Sequence, residues 1–275
     1  MAMSITAHAP HAARRAADSP AVQRLARGGF VCYGVVHLLF AWLALRVALG
    51  DPAQEGDQRG ALQTLAAQPL GKVLVLVVVA GMVALALWQG LAAAIGQRGQ
   101  RGRAAVAERV VSGCRAVIYL WLAWTGVMVV RGAGGSSADS QERTTSHLLN
   151  ATGGRWLVGL VGAVVVGVGL GLFWYGVSRK FERNLHTGQM NATVHRAVRR
   201  FGVGGYVAKG VAYTIAGVLV VAAAVTYDPD KARGLDGALR TLAGQSWGPW
   251  LLGLIALGFA AFGVFCFAQA RYRKV

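Results

Sequence analysis

Acidic residues are scarce in this chain, which has 11 Asp and Glu side chains against 28 Lys and Arg in 275 residues. None of the 11 lies within the long apolar runs described below, which argues against proton-coupled transport by a buried carboxylate. Charged residues of both signs make up 14% of the chain, whereas hydrophobic residues make up 55%. Because so little polar surface cannot cover a soluble globule of this size, the chain needs lipid as its solvent.

Cysteine is also rare. Cys32, Cys114 and Cys266 all lie in apolar runs and not in loops, so no structural disulfide is expected. The first 28 residues carry four arginines but no apolar segment followed by a small-residue cleavage site. We therefore expect no cleavable signal peptide ahead of the first apolar run.

Six apolar runs are each long enough to cross a hydrocarbon core of about 30 Å, which takes roughly 20 helical residues. Helices are expected because each backbone donor and acceptor must be satisfied within its own segment. The predicted fold class is all-α, a polytopic membrane protein with six transmembrane helices. The predicted spans are 29–50, 73–95, 110–130, 156–177, 204–227 and 247–270.

The basic residues are distributed unevenly between the two sides of these spans. One side carries 17 Lys and Arg, and the other carries 8 together with 8 of the 11 acids. The positive-inside rule places the more basic side and both termini in the cytoplasm, which predicts a bacterial inner (plasma) membrane protein. The net charge of +17 is thus a topology signal, and nucleic acid is not expected as a partner.

The chain repeats a two-helix pattern three times. An offset of 82 residues superposes Cys32 on Cys114, and an offset of 176 superposes Gly34 on Gly210. The loops agree, since Gly-Ala-Leu-x-Thr-Leu-Ala stands at residues 60–66 and again at 237–243, although the middle copy has diverged. The predicted organisation is a disordered cytoplasmic N-terminus at 1–21, then repeats at 22–98, 104–184 and 190–272.

The Gly-rich starts of the odd-numbered spans and the Gly-Ala-Leu-x-Thr-Leu-Ala loop resemble a bacterial membrane family catalogued as domain of unknown function 1206. The resemblance covers roughly residues 22–272. It implies three pairs of transmembrane helices and a broadly actinobacterial source, and it implies no activity. Because each repeat contains two spans, successive copies enter the membrane in the same direction, and we predict pseudo-threefold symmetry about the membrane normal.

Two basic residues lie inside odd-numbered spans at positions that the repeat makes equivalent. Arg115 and Lys209 correspond to Tyr33 of the first repeat. They lie a turn or so inside the membrane, from where a long side chain can still reach the surface. One interpretation is a ring of cations at an inner mouth that selects anions, and the other is anchoring to lipid phosphate.

His37 is the only histidine within a predicted span, and its repeat partners are Tyr119 and Tyr213. A haem ligand would need a second axial group at a matching depth, and none is apparent. We interpret His37 as a polar residue that faces another helix. Arg115, Lys209, Tyr33 and His37 are together the candidate contacts of an inner mouth or of lipid phosphate. No cofactor, metal site or catalytic residue is predicted.

Three further patterns concern packing and surfaces. Gly167 and Gly171 give the fourth span a small-residue face for close helix contact, inside the monomer or with a neighbouring subunit. Residues 190–201 separate apolar from basic side chains, which predicts an amphipathic helix on the inner leaflet. Asp57 and Asp236 are predicted N-caps of short helices on the opposite side.

Ser246 stands in a Gly-x-Ser-x-Gly pattern at residues 244–248, which is typical of a nucleophile elbow. The strand-turn-helix setting of that motif is missing here. We therefore interpret Ser246 as a helix cap for the sixth span.

Three functions stay open. The first is a non-enzymatic structural, lipid-binding or adaptor protein that contacts anionic lipid of the inner leaflet, a protein partner or a second copy through its basic loops. The alternative is a small-solute channel or transporter with a path between the repeats. A remote alternative is an intramembrane hydrolase that pairs Ser246 with a base such as His147. The scarcity of polar residues within the spans favours the first, because a hydrated path needs polar lining.

Overall fold

The computed structural model describes residues 19–50, 57–95, 103–132, 135 and 137–274. In these ranges the regular elements are helices, and a single β-bridge pairs Leu185 with Arg273. The α-helices are α1 (Pro20–Ala48), α2 (Gln58–Ala66), α3 (Gly71–Ile95), α4 (Arg103–Val130), α5 (Ser137–Leu149), α6 (Gly154–Val177), α7 (Ala192–Thr226), α8 (Gly234–Ala243) and α9 (Gly248–Tyr272).

Six of these helices, α1, α3, α4, α6, α7 and α9, are long and apolar enough to cross a membrane within the described residues. The prediction of an all-α membrane protein with six spans is therefore confirmed. The odd-numbered spans start earlier than predicted, because α1, α4 and α7 run on without a break through the basic residues that precede each apolar run. The predicted disordered residues 1–18 lie outside the described residues, and Pro20 and Ala21 already belong to α1.

We call the end of the bundle where α1, α4 and α7 begin the basic end. A helix lying flat on the membrane was predicted there at residues 190–201, and this prediction is wrong, because α7 is one continuous helix of 35 residues. Most of its apolar face is covered by protein, since Val198 belongs to a buried cluster with Phe181 and Leu185, whereas Phe201 is 40% exposed. Phe181 and Leu185 come from the connection between α6 and α7. This connection covers most of the surface that was predicted to lie on lipid.

The second helix of each repeat packs against the first helix of the next repeat. α3 packs on α4, α6 packs on α7, and α9 closes the ring on α1. Within repeats, α1 packs on α3 and α7 packs on α9. The spanning helices therefore follow one another around a common centre.

One link in this ring is weak. Over the described residues, α4 and α6, the two spanning helices of the second repeat, scarcely approach each other. Buried positions make up 22% of the apolar window of α4 and 17% of that of α6, against 44% to 50% in the other four spans. The short helix α5 packs mainly on α6, α8 and the turn Pro229–Ala232. It therefore lies on the α6 side of the gap and, in the described chain, does not bridge α6 to α4. We call the space between α4 and α6 the lateral opening.

Two of the interfaces between repeats use the same glycine contact. A Cβ at Gly34 would lie 2.9 Å from the carbonyl oxygen of Gly263, and a Cβ at Gly210 would lie 2.8 Å from that of Gly169. Gly34 and Gly210 are equivalent in the repeat, so α1 meets α9 as α7 meets α6. The equivalent position on α4 is Ala116.

One of the two roles predicted for Gly167 and Gly171 was close helix contact inside the monomer. In the described chain neither residue makes such a contact. No heavy atom lies within 4 Å of a Cβ built at either residue, whereas Gly162 and Gly169 meet α7 closely. Residues seven apart return to the same helix face, so Gly162 and Gly169 share the face of α6 that packs on α7. Gly167 and Gly171 lie on a different face of the helix. Contact of those two with a neighbouring subunit stays a prediction.

The two matching short helices begin differently. Asp57 caps α2 as predicted, since the Gly60 backbone N–H donates to Asp57 Oδ1 at 2.8 Å. Asp236 instead lies inside the first turn of α8, where its carboxylate accepts from Arg240 Nε at 2.7 Å. The predicted cap at Asp236 is wrong because α8 already begins at Gly234.

A short antiparallel pairing joins the α6–α7 connection to the C-terminal residues. The His186 backbone N–H donates to the Tyr272 carbonyl at 2.7 Å, and the Lys274 N–H donates to the Asn184 carbonyl at 3.0 Å. Phe181, in the same connection, is 1% exposed. The connection therefore covers the basic end of α7 and α9.

Candidate functional site

Lys209 turns inward from the middle of α7, and its ammonium group lies at the centre of the bundle. The residue is 6% exposed. Its Nζ lies 3.1 Å from His37 Nε2 and donates to the Tyr33 hydroxyl at 3.3 Å. Nζ also lies 4.0 Å from the centroid of the Phe262 ring, which is within cation–π range. Lys209 therefore does not extend to the membrane surface, as simple anchoring would require.

The hydrogen bonds of His37 define its tautomer. Nδ1 lies 2.9 Å from the Tyr33 backbone carbonyl oxygen, which can only accept, so Nδ1 donates. In a neutral imidazole Nε2 is then an acceptor, and the Lys209 ammonium group donates to it. The pair is satisfied as a hydrogen bond, but the neutral ring leaves the charge of Lys209 without an opposite charge.

Aromatic rings from three helices fill the space around this pair. The Tyr33 ring of α1 packs edge-on against Tyr119 of α4, with 5.3 Å between centroids. Phe262 of α9 lies 4.7 Å from His37. These side chains bring the three repeats together at one level. The rings occupy the axis along which a conduit would need hydrated space.

Arg115 lies on α4 one turn before Tyr119 and is half-buried. Tyr206 of α7, Tyr175 of α6 and Tyr119 lie within electrostatic range of its guanidinium group. Tyr206 and Tyr175 pack edge-on against each other at 5.0 Å. Ser112, three residues before Arg115 on the same helix face, is 1% exposed, and its hydroxyl has no hydrogen-bond partner among the described residues.

Arg273 is the first residue after α9, and its side chain turns back into the bundle. Its guanidinium carbon lies 5.0 Å from the ring centroids of both Phe30 and Trp88. The residue is 7% exposed, and its Nε–H has no hydrogen-bond acceptor among the described residues. Burial lowers the pKa of Arg273, and the positive charge of Arg115 lowers it further. Arginine still carries its charge at neutral pH, so this donor is charged, buried and available.

Lys209, Arg115 and Arg273 together form what we call the central cationic cluster. No carboxylate in the described residues lies within ion-pair distance of any of the three. Glu108 contributes to the field at Arg115, but it lies seven residues earlier in α4, about 10 Å along the helix axis. The cluster therefore carries excess positive charge inside the protein.

Several cations elsewhere in the structure, such as Arg199 and Arg233, do have acidic partners. Arg199 Nε donates to Glu182 at 2.8 Å, and an Arg233 amino group donates to Asp139 at 2.9 Å. Burying an ion without a partner costs on the order of several kcal/mol. An anion with several acceptor oxygens would offset that cost in the cluster, because its oxygens can accept charge-assisted hydrogen bonds.

The residues predicted from sequence come together only in part. Tyr33, His37 and Lys209 are in direct contact, and Arg115 reaches them through Tyr119. Tyr213 lies apart, since its hydroxyl accepts from Gln58 of α2 at 3.4 Å.

Sequence reasoning missed Arg273 and Ser112. Arg273 counts in the sequence only as one of the basic residues of a terminus, and its position directly after the last span is the one signal it offers. Ser112 is a helix-interior serine of a kind that usually bonds its own backbone. Nothing in the chain before folding shows that the Arg273 side chain turns back into the bundle or that the Ser112 hydroxyl is buried without a described partner.

Ser246 and His147, the pair that an intramembrane hydrolase would use, do not come together. Ser246 makes no hydrogen bond to His147, although both are described. Ser246 also does not cap α9, because the N-cap position is Trp247 and carries no side-chain capping bond. In the described part of the chain, no three His, Cys, Asp or Glu side chains come together as a metal site would require.

The fold and the cluster define a multi-pass α-helical membrane protein built from three two-helix repeats around a shared polar centre. The chain belongs to the family described as Domain of Unknown Function (DUF1206), whose model matches residues 28–96, 110–179 and 204–273. The three matches coincide with the three pairs of spanning helices, which confirms the family resemblance and the threefold repeat.

The chain is also similar to "Uncharacterized protein YxxB" of Bacillus subtilis (strain 168). The two are 30% identical over 257 residues, which is 93% of each chain. No solved structure matches this chain. The comparisons thus establish the family and leave the activity to be inferred from the site.

Proposed function

We propose that this protein is a non-enzymatic protein of the bacterial plasma membrane that binds an anionic lipid headgroup at the central cationic cluster, with both termini in the cytoplasm. The observation that carries the proposal is the burial of Lys209 and Arg273, with half-buried Arg115 near them, without a described acidic partner. Arg273 contributes most, because its Nε–H is buried and has no described acceptor.

The chemistry of the cluster suits a phosphate group. Guanidinium groups donate in a planar fork that matches phosphate oxygens, and a lysine ammonium adds a point charge. Ser112 supplies a further buried hydroxyl on the side of Arg115. Phosphodiester groups of bacterial membrane lipids carry this charge and these acceptor oxygens.

The position of the cluster along the membrane supports a lipid of the cytoplasmic leaflet. Arg273 stands at the end of α9, and Arg115 lies seven residues, or about 10 Å, inside the apolar window of α4 that begins at Glu108. The positive-inside rule assigns this basic end to the cytoplasm. A headgroup bound here would sit slightly below the level of its neighbours in that leaflet.

The direct test is retention of phosphatidylglycerol. The protein would be purified in mild detergent, and the lipids that stay bound would be counted by native mass spectrometry. Arg273→Gln is compared with Arg271→Gln, which removes the same charge from an exposed side chain two residues away. Losing one partner of a buried charge pair costs about 2–5 kcal/mol, so we expect Arg273→Gln to weaken retention about tenfold or more.

Arg271→Gln should retain phosphatidylglycerol as the unmodified protein does, and neither variant should change the small amount of phosphatidylcholine that binds. Equal retention by the two variants would contradict the proposal. Equal binding of phosphatidylglycerol and phosphatidylcholine would also contradict the proposal, because the cluster should bind only lipids with a net negative charge.

The channel alternative makes an opposite prediction in liposomes. A path between the repeats would allow efflux of small anions or neutral solutes, and a protein with both Arg115→Ala and Lys209→Ala would lose it. Because aromatic rings occupy the axis beside Lys209, we expect no efflux above that of empty liposomes. Efflux that disappears in the double variant would make the conduit the primary function.

A further inference from the structure

We propose that the bound lipid enters sideways through the lateral opening, so that its acyl chains lie between α4 and α6 while its headgroup reaches the central cationic cluster. This inference rests on the proposed function and adds the route and the seat of the chains. It commits to a membrane phospholipid with a net negative charge as the occupant, in preference to a soluble anion.

The lateral opening is the one weak link in the ring of described spanning helices. In the first and third repeats the two helices of the repeat pack together, whereas in the second repeat α4 and α6 scarcely meet. A gap between spanning helices in a bilayer faces hydrocarbon, and acyl chains are the molecules that can fill it.

Polar residues lie on both borders of the opening. Arg115 is on α4, and Tyr175, which lies within electrostatic range of it, is on α6. Val111 and Ile118 lie one turn to either side of Arg115 on the same helix face, and they are 42% and 52% exposed. An apolar surface therefore leads along α4 directly to a cation.

The border on α6 has the same character. Val168 and Gly171 lie seven and four residues before Tyr175, which places all three on one face of α6. Val168 is 52% exposed, and a Cβ at Gly171 would meet no heavy atom within 4 Å. The opening is thus lined mostly by small or apolar groups, and Arg115 and Tyr175 place polar groups on its two borders, as an amphipathic lipid requires.

A headgroup would reach the central cationic cluster less directly from the basic end of the bundle than through the lateral opening. The α6–α7 connection covers the basic end of α7 and α9 and is joined to the C-terminal residues by backbone hydrogen bonds. Phe181 of this connection stacks on Tyr206, with 5.6 Å between ring centroids. A headgroup that arrives through the opening reaches Arg115 first and does not have to displace these contacts.

Photo-crosslinking tests the route. The photoreactive residue p-benzoylphenylalanine replaces Ile118, which borders the opening, or Leu257, which is 68% exposed on α9 and lines an apolar groove between α7 and α9. Ile118 lies ten residues inside the span that begins at Glu108, and Leu257 lies fifteen residues inside the span that ends at Tyr272, so both positions are in contact with the bilayer interior. The purified protein is washed in detergent without added lipid, irradiated, and analysed for phosphatidylglycerol adducts by mass spectrometry.

We expect several-fold more adduct at Ile118 than at Leu257, and a fall to the Leu257 level when Arg115→Gln is added. Equal yields at the two positions would overturn the lateral route. An excess of inorganic phosphate should leave the Ile118 adduct unchanged. If phosphate abolished the adduct, the ligand would be a small soluble anion and the route would again be overturned.

A second variant fills the opening without touching the cluster. Gly171→Leu places a side chain in the space beside α6, and Gly253→Leu makes the same change at an open position of α9. We expect less retained phosphatidylglycerol in Gly171→Leu and no change in Gly253→Leu. Equal retention in both would count against the acyl chains lying in the opening.

The two proposals fail in different ways. If Arg273→Gln lowers lipid retention but Ile118 and Leu257 label equally, the headgroup site stands and the lateral route is wrong. If Arg273→Gln and Arg271→Gln retain lipid equally, the headgroup site itself is wrong, whatever the adduct yields are.

Discussion

The contact between α6 and α7 can be tested by adding a single methyl group. In Gly210→Ala the new Cβ would lie 2.6 Å from the Phe173 backbone nitrogen and 2.8 Å from the Gly169 carbonyl oxygen. Both neighbours are backbone atoms and cannot rotate away. The two helices must therefore separate by about 0.8 Å to restore an ordinary contact of 3.4 Å.

The expected cost follows from overpacking. Forcing an extra methyl group into a tight interface destabilises a protein by about 1–3 kcal/mol, and the better helix propensity of alanine returns roughly 0.5–1 kcal/mol of that. For a chain of this size, each kcal/mol lowers the midpoint of thermal unfolding by about 2–4 °C. We expect Gly210→Ala to lower the midpoint by a few degrees. Gly34→Ala, at the equivalent contact with α9, should do the same.

The assay is thermal unfolding of the purified protein in one detergent at one scan rate, followed by tryptophan fluorescence. Gly171→Ala is the control, because the same methyl group there meets no heavy atom within 4 Å. Its midpoint should stay the same or rise slightly. If Gly210→Ala were as stable as Gly171→Ala, the close approach of α6 and α7 would be wrong.

Two further predictions concern α2 and the cysteines. Asp57→Ala should destabilise the protein by about 1 kcal/mol through loss of the α2 cap, whereas Asp57→Asn, which keeps an acceptor oxygen, should remain close to the unmodified protein in the same thermal assay. A lipid-soluble maleimide should label exposed Cys114 in the folded protein and leave buried Cys266 unlabelled until the protein is denatured. Labelling of Cys266 at the rate of Cys114 would contradict the packing of α9 against α1 and α7.

The candidate site was partly visible in the sequence through the repeat. Superposing the repeats aligns Tyr33, Arg115 and Lys209, and a shared centre brings equivalent positions together. The repeat could not show that Lys209 turns inward to His37, since a lysine at that depth can also reach the surface. Arg273 was not predicted as a site residue, because a basic residue at the end of a span ordinarily marks only the cytoplasmic side of the membrane.

The error at residues 190–201 has a related cause. An apolar face beside a basic face predicts that something apolar covers the first, and lipid was the nearest candidate in a membrane protein. The structure covers most of it instead with Phe181 and Leu185 from the preceding connection. Helical periodicity records that a face is buried and does not record what buries it.

The sequence by itself determined the membrane class, the six spans and the threefold repeat, because these depend on run length, composition and spacing along the chain. Only the tertiary structure decided how the helices close into a ring, that α4 and α6 stay apart, and that Arg115, Lys209 and Arg273 share one interior. Those features depend on which backbone surfaces can approach each other. Gly210 and Gly169 let α7 and α6 meet closely, and Gly34 and Gly263 do the same for α1 and α9.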